Sequence, residues 1–167
     1  MSLPSKDPVR SRIRQAAVYG LKNRITTAGG YWNNVKRAYD PVRTYEQFDV
    51  YPCINVSTEN EICDNASDFT IEQQQLRLHN SFILQMVAFL NDNNDPALAE
   101  DKILADIQMY FGKNFRIPDS AGTATAFNCY YEGAEPIGTN RTKPNTGIIV
   151  KYRVWYRQFS TDPAIAG

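Results

Sequence analysis

A chain of 167 residues fits a single domain spanning 1–167, large enough to bury about two-thirds of its unfolded surface without a metal or disulfide staple. Its composition, 43% hydrophobic and 22% charged, is that of an ordinary globular protein, and its longest apolar stretch, Phe82 to Leu90, is interrupted by Gln85 and is too short to cross a membrane. Lys and Arg balance Asp and Glu at zero net charge, and a central acidic block over residues 44–110 argues against a uniformly basic nucleic-acid binder.

In chain order, the first signal is Asp7-Pro8, an N-cap acceptor followed by proline at the first helical position. Val9, Ile13, Ala17, Leu21 and Ile25 then recur every four residues and mark the apolar stripe of a helix. Arg10, Arg12, Arg14, Lys22 and Arg24 fall on its other faces, and Gly29-Gly30 supplies a stop. Phe48 to Val56 alternates as a strand, and Pro52 within it predicts an edge position, because proline donates no ladder bond. Residues 58–69 are polar and acidic and read as a loop. A long strand follows over about Ile71 to Phe89, with Phe82, Leu84, Met86 and Ala88 on one parity.

Asp95-Pro96 opens a second helix. Leu98, Ile103, Leu104, Ile107, Tyr110 and Phe111 make its apolar face, and Gly112 ends it. Residues 124–133 and 147–160 read as two more strands joined by a turn-rich loop. In the last strand Ile148, Val150, Tyr152, Val154 and Tyr156 point to the core. Lys151, Arg153, Trp155 and Arg157 form an opposite, cationic row, either a solvated sheet surface or a contact surface. The expected fold is α+β, order α-β-β-α-β-β, with a mostly antiparallel four-stranded sheet and both helices on one face.

Charge is unevenly spread. Residues 1–43 carry nine Lys/Arg and two Asp/Glu, residues 44–110 carry two and twelve, and residues 111–167 carry seven and four. This is either ordinary solvated surface or two faces of opposite sign, suited to head-to-tail packing of copies into a ring. Candidate contact residues on this reading are Arg10 and Arg14 on the first helix, and Glu59, Glu61 and Asp64 in the acidic segment. Tyr31 and Trp32 after the glycine turn, with Arg153, Trp155 and Arg157 on the last strand, complete the set. Tyr31 and Trp32 either anchor a neighbour or fold back onto the core.

Signals for chemistry are few. The single histidine, His79, sits mid-strand among Gln75, Arg77 and Ser81 and reads as structural. Cys53, Cys63 and Cys129 form no CxxC pair and suit free, buried thiols in a reducing compartment. No phosphate-loop, dinucleotide or nucleophile-elbow motif occurs, and Asp92-Asn-Asn-Asp95 lacks calcium-loop spacing. The expectation is a protein that is not an enzyme, with no cofactor and no metal.

The run from Leu21 through Gly29-Gly30-Tyr31-Trp32 to Tyr39, the strand Phe48 to Val56, and the closing Ile148 to Tyr156 with Asp162-Pro163 resemble the tail terminator proteins of tailed bacteriophages, also called tail completion or minor tail proteins. The resemblance implies a small α+β domain forming a hexameric ring that caps the tail tube and ends its polymerisation. It implies a head-tail connector and, in contractile tails, a sheath protein as further partners, with DNA passing through the lumen unread. It also implies a virion protein assembled in the host bacterial cytoplasm. Two rivals stand beside it: another neck, connector or tube ring subunit, and a nucleic-acid-binding module built on Arg153, Trp155 and Arg157.

Overall fold

A computed structural model describes residues 7–40, 50–63, 77–91, 94–137 and 146–159. Its elements are α1 (Val9–Arg24), a 3-10 turn (Thr27–Gly29), β1 (Arg37–Tyr39), β2 (Cys53–Cys63), β3 (Arg77–Leu90), α2 (Pro96–Lys113), β4 (Asn128–Pro136) and β5 (Thr146–Phe159). Among the described residues the strands form one sheet in the order β1-β2-β3-β5-β4. β1 runs parallel to β2 and every other pairing is antiparallel. The α+β class agrees with the sequence reading. The sheet is five-stranded and mixed, however, not four-stranded, because β1 adds a short parallel pairing at Arg37–Tyr39. Three residues are too few to show alternation, so periodicity gives no sign of it.

Both helices pack on one face of the sheet. Ile54 and Val56 of β2, the even-numbered residues Phe82 to Leu90 of β3, and Ile148 to Tyr156 of β5 form the sheet side of the core. The whole predicted α1 stripe, Val9, Ile13, Ala17, Leu21 and Ile25, is buried against them. From α2, Ile103, Ile107, Tyr110 and Phe111 join the same core. Leu98 does not: it is largely exposed. It precedes Ile103 by five residues, about 140° around a helix of 3.6 residues per turn, and so misses the stripe.

The helix ends differ in detail from the sequence reading. Asp95 caps α2 as expected, its carboxylate accepting from the Leu98 N–H at 3.0 Å. Asp7 does not cap α1. The N-cap is Pro8, without a side-chain bond, and the Asp7 carboxylate accepts from Gln15 Nε2 instead. α2 runs through Gly112 to Lys113, and Asn114 closes it by donating its N–H to the Tyr110 carbonyl at 2.9 Å.

Strand limits also move. Pro52 lies just before β2, where its missing N–H costs the ladder nothing, and its carbonyl accepts from Lys36 N–H at 2.9 Å. β2 is flanked by β1 over its first three residues, so its start is not an edge. It then continues to Cys63, through Glu59 and Glu61, where a loop was expected. The long partner β3 offers a ladder there, and a strand end exposed to water needs no apolar side chains. Residues 64–69 of the expected loop, including Asp64, lie outside the described residues. The strand expected at 124–133 starts later, at Asn128, and ends at Pro136; Ala124 makes only an isolated bridge with Pro118. A register shift between Tyr131 and Gly133 interrupts β4, with Gly133 at φ 152°, a conformation that favours glycine.

Candidate interaction surface

Alternation along β5 sends Tyr152, Val154 and Tyr156 into the core and Lys151, Arg153, Trp155 and Arg157 to the side away from the helices. The latter four are part-buried. The register sets Tyr130 opposite Arg153 and Asn128 opposite Trp155. Phe127 joins them: its N–H donates to the Trp155 carbonyl at 2.8 Å, and the Arg157 guanidinium sits 4.5 Å from its ring centroid. The Arg116 carbonyl accepts from the N–H groups of Thr125 and Ala126, which brings Phe115 and Arg116 near the same strand end. Of the eight large hydrophobic side chains exposed among the described residues, Phe115, Phe127 and Tyr130 fall in this stretch, while Tyr131, opposite Tyr152, lies on the helix side of the sheet with its ring 5.6 Å from that of Tyr152. Scattered exposed hydrophobics are ordinary, but aromatics gathered beside arginines have the make-up of protein contact surfaces.

The row is less cationic than its sequence suggests. Arg153 Nε is 2.5 Å from Glu132 Oε1, and Lys151 Nζ is 3.4 Å from Glu135 Oε1. Arg153 also donates from Nη1 to Ser81 Oγ at 3.3 Å. These cross-strand carboxylates leave Lys151, Arg153 and Arg157 with one net positive charge between them. Glu132 and Glu135 were not among the sequence candidates, because pairing across strands needs the register.

Tyr31 and Trp32 separate. Tyr31 folds partly onto the core, with Lys113 Nζ 5.5 Å from its ring centroid. Its phenol is held above the usual range, chiefly by burial and then by the Asp106 carboxylate. Trp32 is 57% exposed. Its backbone is nevertheless tied down: Asp106 Oδ1 accepts from the Trp32 N–H at 2.9 Å, and Oδ2 accepts from both the N–H and Nδ2 of Asn33. Asp106 itself is fully buried, on the core side of α2. The sequence reading does not single it out. Its only sequence sign is position, three residues after Ile103 and one before Ile107 on the apolar stripe.

Arg10, Glu61 and Arg14 are engaged within the chain. Arg10 Nη1 meets Glu61 Oε2 at 2.6 Å, Nη2 donates to Thr58 Oγ1 at 3.0 Å, and its guanidinium lies 5.4 Å from the Phe82 ring centroid. Glu61 also accepts from the Tyr156 hydroxyl, which burial and that bond hold well above the usual phenol range. Arg14 Nε contacts Asp40 Oδ2 at 2.5 Å. Glu59 is part-buried on β2 opposite Ile83. The basic and acidic blocks of the sequence therefore meet inside one subunit at Arg10 and Glu61. As exposed pairs these contribute at most about 1 kcal/mol each.

The single histidine and the three cysteines sit on different parts of the sheet. His79 lies in β3 opposite Arg157. Cys53 and Cys129 are buried and Cys63 is exposed, so only two of the three thiols match the buried expectation. Burial pushes the Cys129 thiol up to about 12, which leaves it protonated and unreactive near neutral pH. Among the described residues, no group of three or more His, Cys, Asp or Glu is arranged to hold a metal, and no helix is long and apolar enough to cross a membrane. No protein-family model matches this chain, and no curated protein matches it.

Proposed function

We propose that this chain is a structural subunit of the tail-terminator type, which assembles with its own copies into a hexameric ring on the end of a phage tail tube. The observation that carries the reading is the aromatic and arginine surface on the outer side of β4 and β5: Phe127 under Arg157, with Tyr130, Arg153 and Trp155 beside it. Aromatic and Arg side chains supply most of the energy at protein contacts. The resemblance of the segments around Gly29-Gly30-Tyr31-Trp32 and Ile148 to Tyr156 supplies the identity of the assembly. In this reading the ring occupies the tube's growing end without offering another, and so sets tail length sterically. The tube protein, the head-tail connector and, in contractile tails, the sheath protein are its partners, and DNA passes through the lumen unread.

A nucleic-acid module on the same surface is the weaker alternative. With Glu132 and Glu135 spending two of its cations, the surface has little to offer a phosphate chain. Electron microscopy of the purified protein mixed with its tail tubes tests the proposal. The expected result is a single ring of added density at one tube end, with tails of uncontrolled length in particles lacking the protein. Normal virions from a deletion strain would refute it. Salt-dependent binding of single-stranded DNA, lost on Trp155→Ala, would favour the alternative.

A further inference from the structure

At one end of the helix layer, three cations each sit over an aromatic ring. Arg24, in the last turn of α1, is 5.9 Å from the Tyr19 ring centroid. Lys113, the last residue of α2, is 5.5 Å from that of Tyr31, and Arg116 is 5.9 Å from that of Phe115. Two contacts tie the three together. Arg24 Nη2 donates to the carbonyl of Asp119, three residues beyond Arg116, at 3.0 Å. The Tyr31 phenol, pushed up by burial and then by Asp106, is drawn down by the Arg24 charge, so Arg24 and Lys113 act on one ring. Next to Tyr31 in the chain is Trp32, with an exposed indole and a backbone held by Asp106. Tyr19 and Phe115 are exposed as well.

None of these cations has a carboxylate partner among the described residues. The acids of this end face elsewhere. Asp106 accepts from the N–H groups of Trp32 and Asn33, and Asp119 from those of Ala121 and Thr123. The stretches that build this end, 8–39 and 107–118, hold no Asp or Glu. The outer side of β4 and β5 differs on this point, since Glu132 and Glu135 pair directly with its Arg153 and Lys151. Helix dipoles favour cations at the ends of α1 and α2, but that effect fades within the last turn and calls for no exposed rings. Arg116 lies past the Asn114 cap.

We propose that this end of the molecule binds single-stranded nucleic acid, with phosphates against Arg24, Lys113 and Arg116 and unpaired bases stacked on Trp32 and Phe115. Charge complementarity calls for a polyanion, and exposed rings set among the cations call for one whose repeat also carries a flat aromatic group. An acidic peptide supplies the first and lacks the second. A duplex keeps its bases stacked on one another and offers no free face. Contacts to phosphates and ring faces carry no sequence information, so no base is read. The ring proposed above does not depend on this site.

The test is an anisotropy titration of the full chain with a labelled oligo-dT of about 20 nucleotides, longer than the site of one single-strand binding module. Each phosphate neutralised on a single strand contributes about −0.7 to the slope of log affinity against log salt, so three cations give about −2. Lys113→Ala, at an exposed position, is expected to bring the slope to about −1.4. Trp32→Ala is expected to weaken binding about five- to hundredfold, with the far-UV circular dichroism unchanged. In a Trp155→Phe chain, which keeps Trp32 as its one tryptophan, oligo-dT is expected to quench the emission. Absence of binding at low salt overturns the proposal and leaves the tube-end ring untouched. Binding that survives both Trp32→Ala and Lys113→Ala overturns it as well, and loss on Trp155→Ala alone moves the nucleic acid to the outer side of β4 and β5. Poly-glutamate that binds as tightly as oligo-dT would mean an acidic protein partner in place of nucleic acid.

Discussion

The contact of Gly20 with Tyr110 gives a sharp test of how the two helices pack. Gly20 lies in the middle of α1, where an alanine would normally stabilise a helix by about 1 kcal/mol. A Cβ there would stand 1.8 Å from Tyr110 Oη and 2.4 Å from Cζ. Ordinary contact between such atoms begins near 3.5 Å, so the ring must retreat by more than 1 Å. It has nowhere to go. Tyr110 is fully buried, edge-on to Phe111 at 5.0 Å, and Phe111 packs on Tyr152 at 4.8 Å. Overpacking of this kind costs about 1–3 kcal/mol, and several atoms are involved here, so the steric term outweighs the propensity gain. Gly20→Ala is therefore expected to destabilise the domain by about 1–3 kcal/mol, a fall of roughly 2–10 °C in melting temperature for a domain of this size. The cycle with Tyr110→Leu isolates the cause. In that background the same Gly20→Ala change is expected to be neutral or stabilising, because the ring it collides with is gone. Urea unfolding monitored by circular dichroism supplies the four free energies. If Gly20→Ala stabilises the parent, or costs the same in both backgrounds, the reasoning fails.

Other expectations follow from particular groups. Tyr110 Oη is buried without a hydrogen-bond partner, so Tyr110→Phe should raise stability or leave it unchanged, by up to about 1–2 kcal/mol in chemical unfolding. Asp95→Ala removes the α2 cap and should cost about 1 kcal/mol in the same assay. Asp106→Ala leaves the N–H groups of Trp32 and Asn33 without their acceptor; it should destabilise by about 2–4 kcal/mol and speed amide exchange at both positions. Tyr110 and Cys129 both keep their protons up to about 12 in the folded state, above their ordinary values of 10.0 and 9.0. A raised folded value means the native state holds the proton more tightly, so this stability is complete below about pH 9 and is lost as pH rises toward 12. Thermal melts from pH 8 to 11 should show that fall, and a thiol reagent at pH 8 should label Cys63 long before Cys129.

What could be read from the sequence was whatever repeats with a period. The α1 stripe, the even-numbered residues from Phe82 to Leu90 and those from Ile148 to Tyr156 are repeated burial patterns, and they point to the core as their spacing says. β1 was not legible because three residues hold no period, and the far half of β2 was hidden because an exposed strand end can be made of Ser, Thr, Asn and Glu. Arg153, Trp155 and Arg157 were visible as one row on one strand. Phe127, Tyr130, Glu132 and Glu135 joined them only through the β4–β5 register, which no local pattern encodes. One link between the charge blocks was hidden for a related reason. Arg10 and Glu61 are 51 positions apart, and it takes the fold to show that they neutralise each other.

The interruption in β4 bears on what kind of object many copies can build. Adding a neighbour's strand to an open border needs a straight run of unpaired amides, and this border is bent at Gly133, flanked by Glu132 and Glu135, and closed by Pro136, which has no amide hydrogen to give. In the ring proposed above, contacts at this border would have to come from side chains. Side-chain contacts fix the angle between neighbours far more tightly than a sliding backbone ladder, and a fixed angle separates a particle of definite size from a fibre without end.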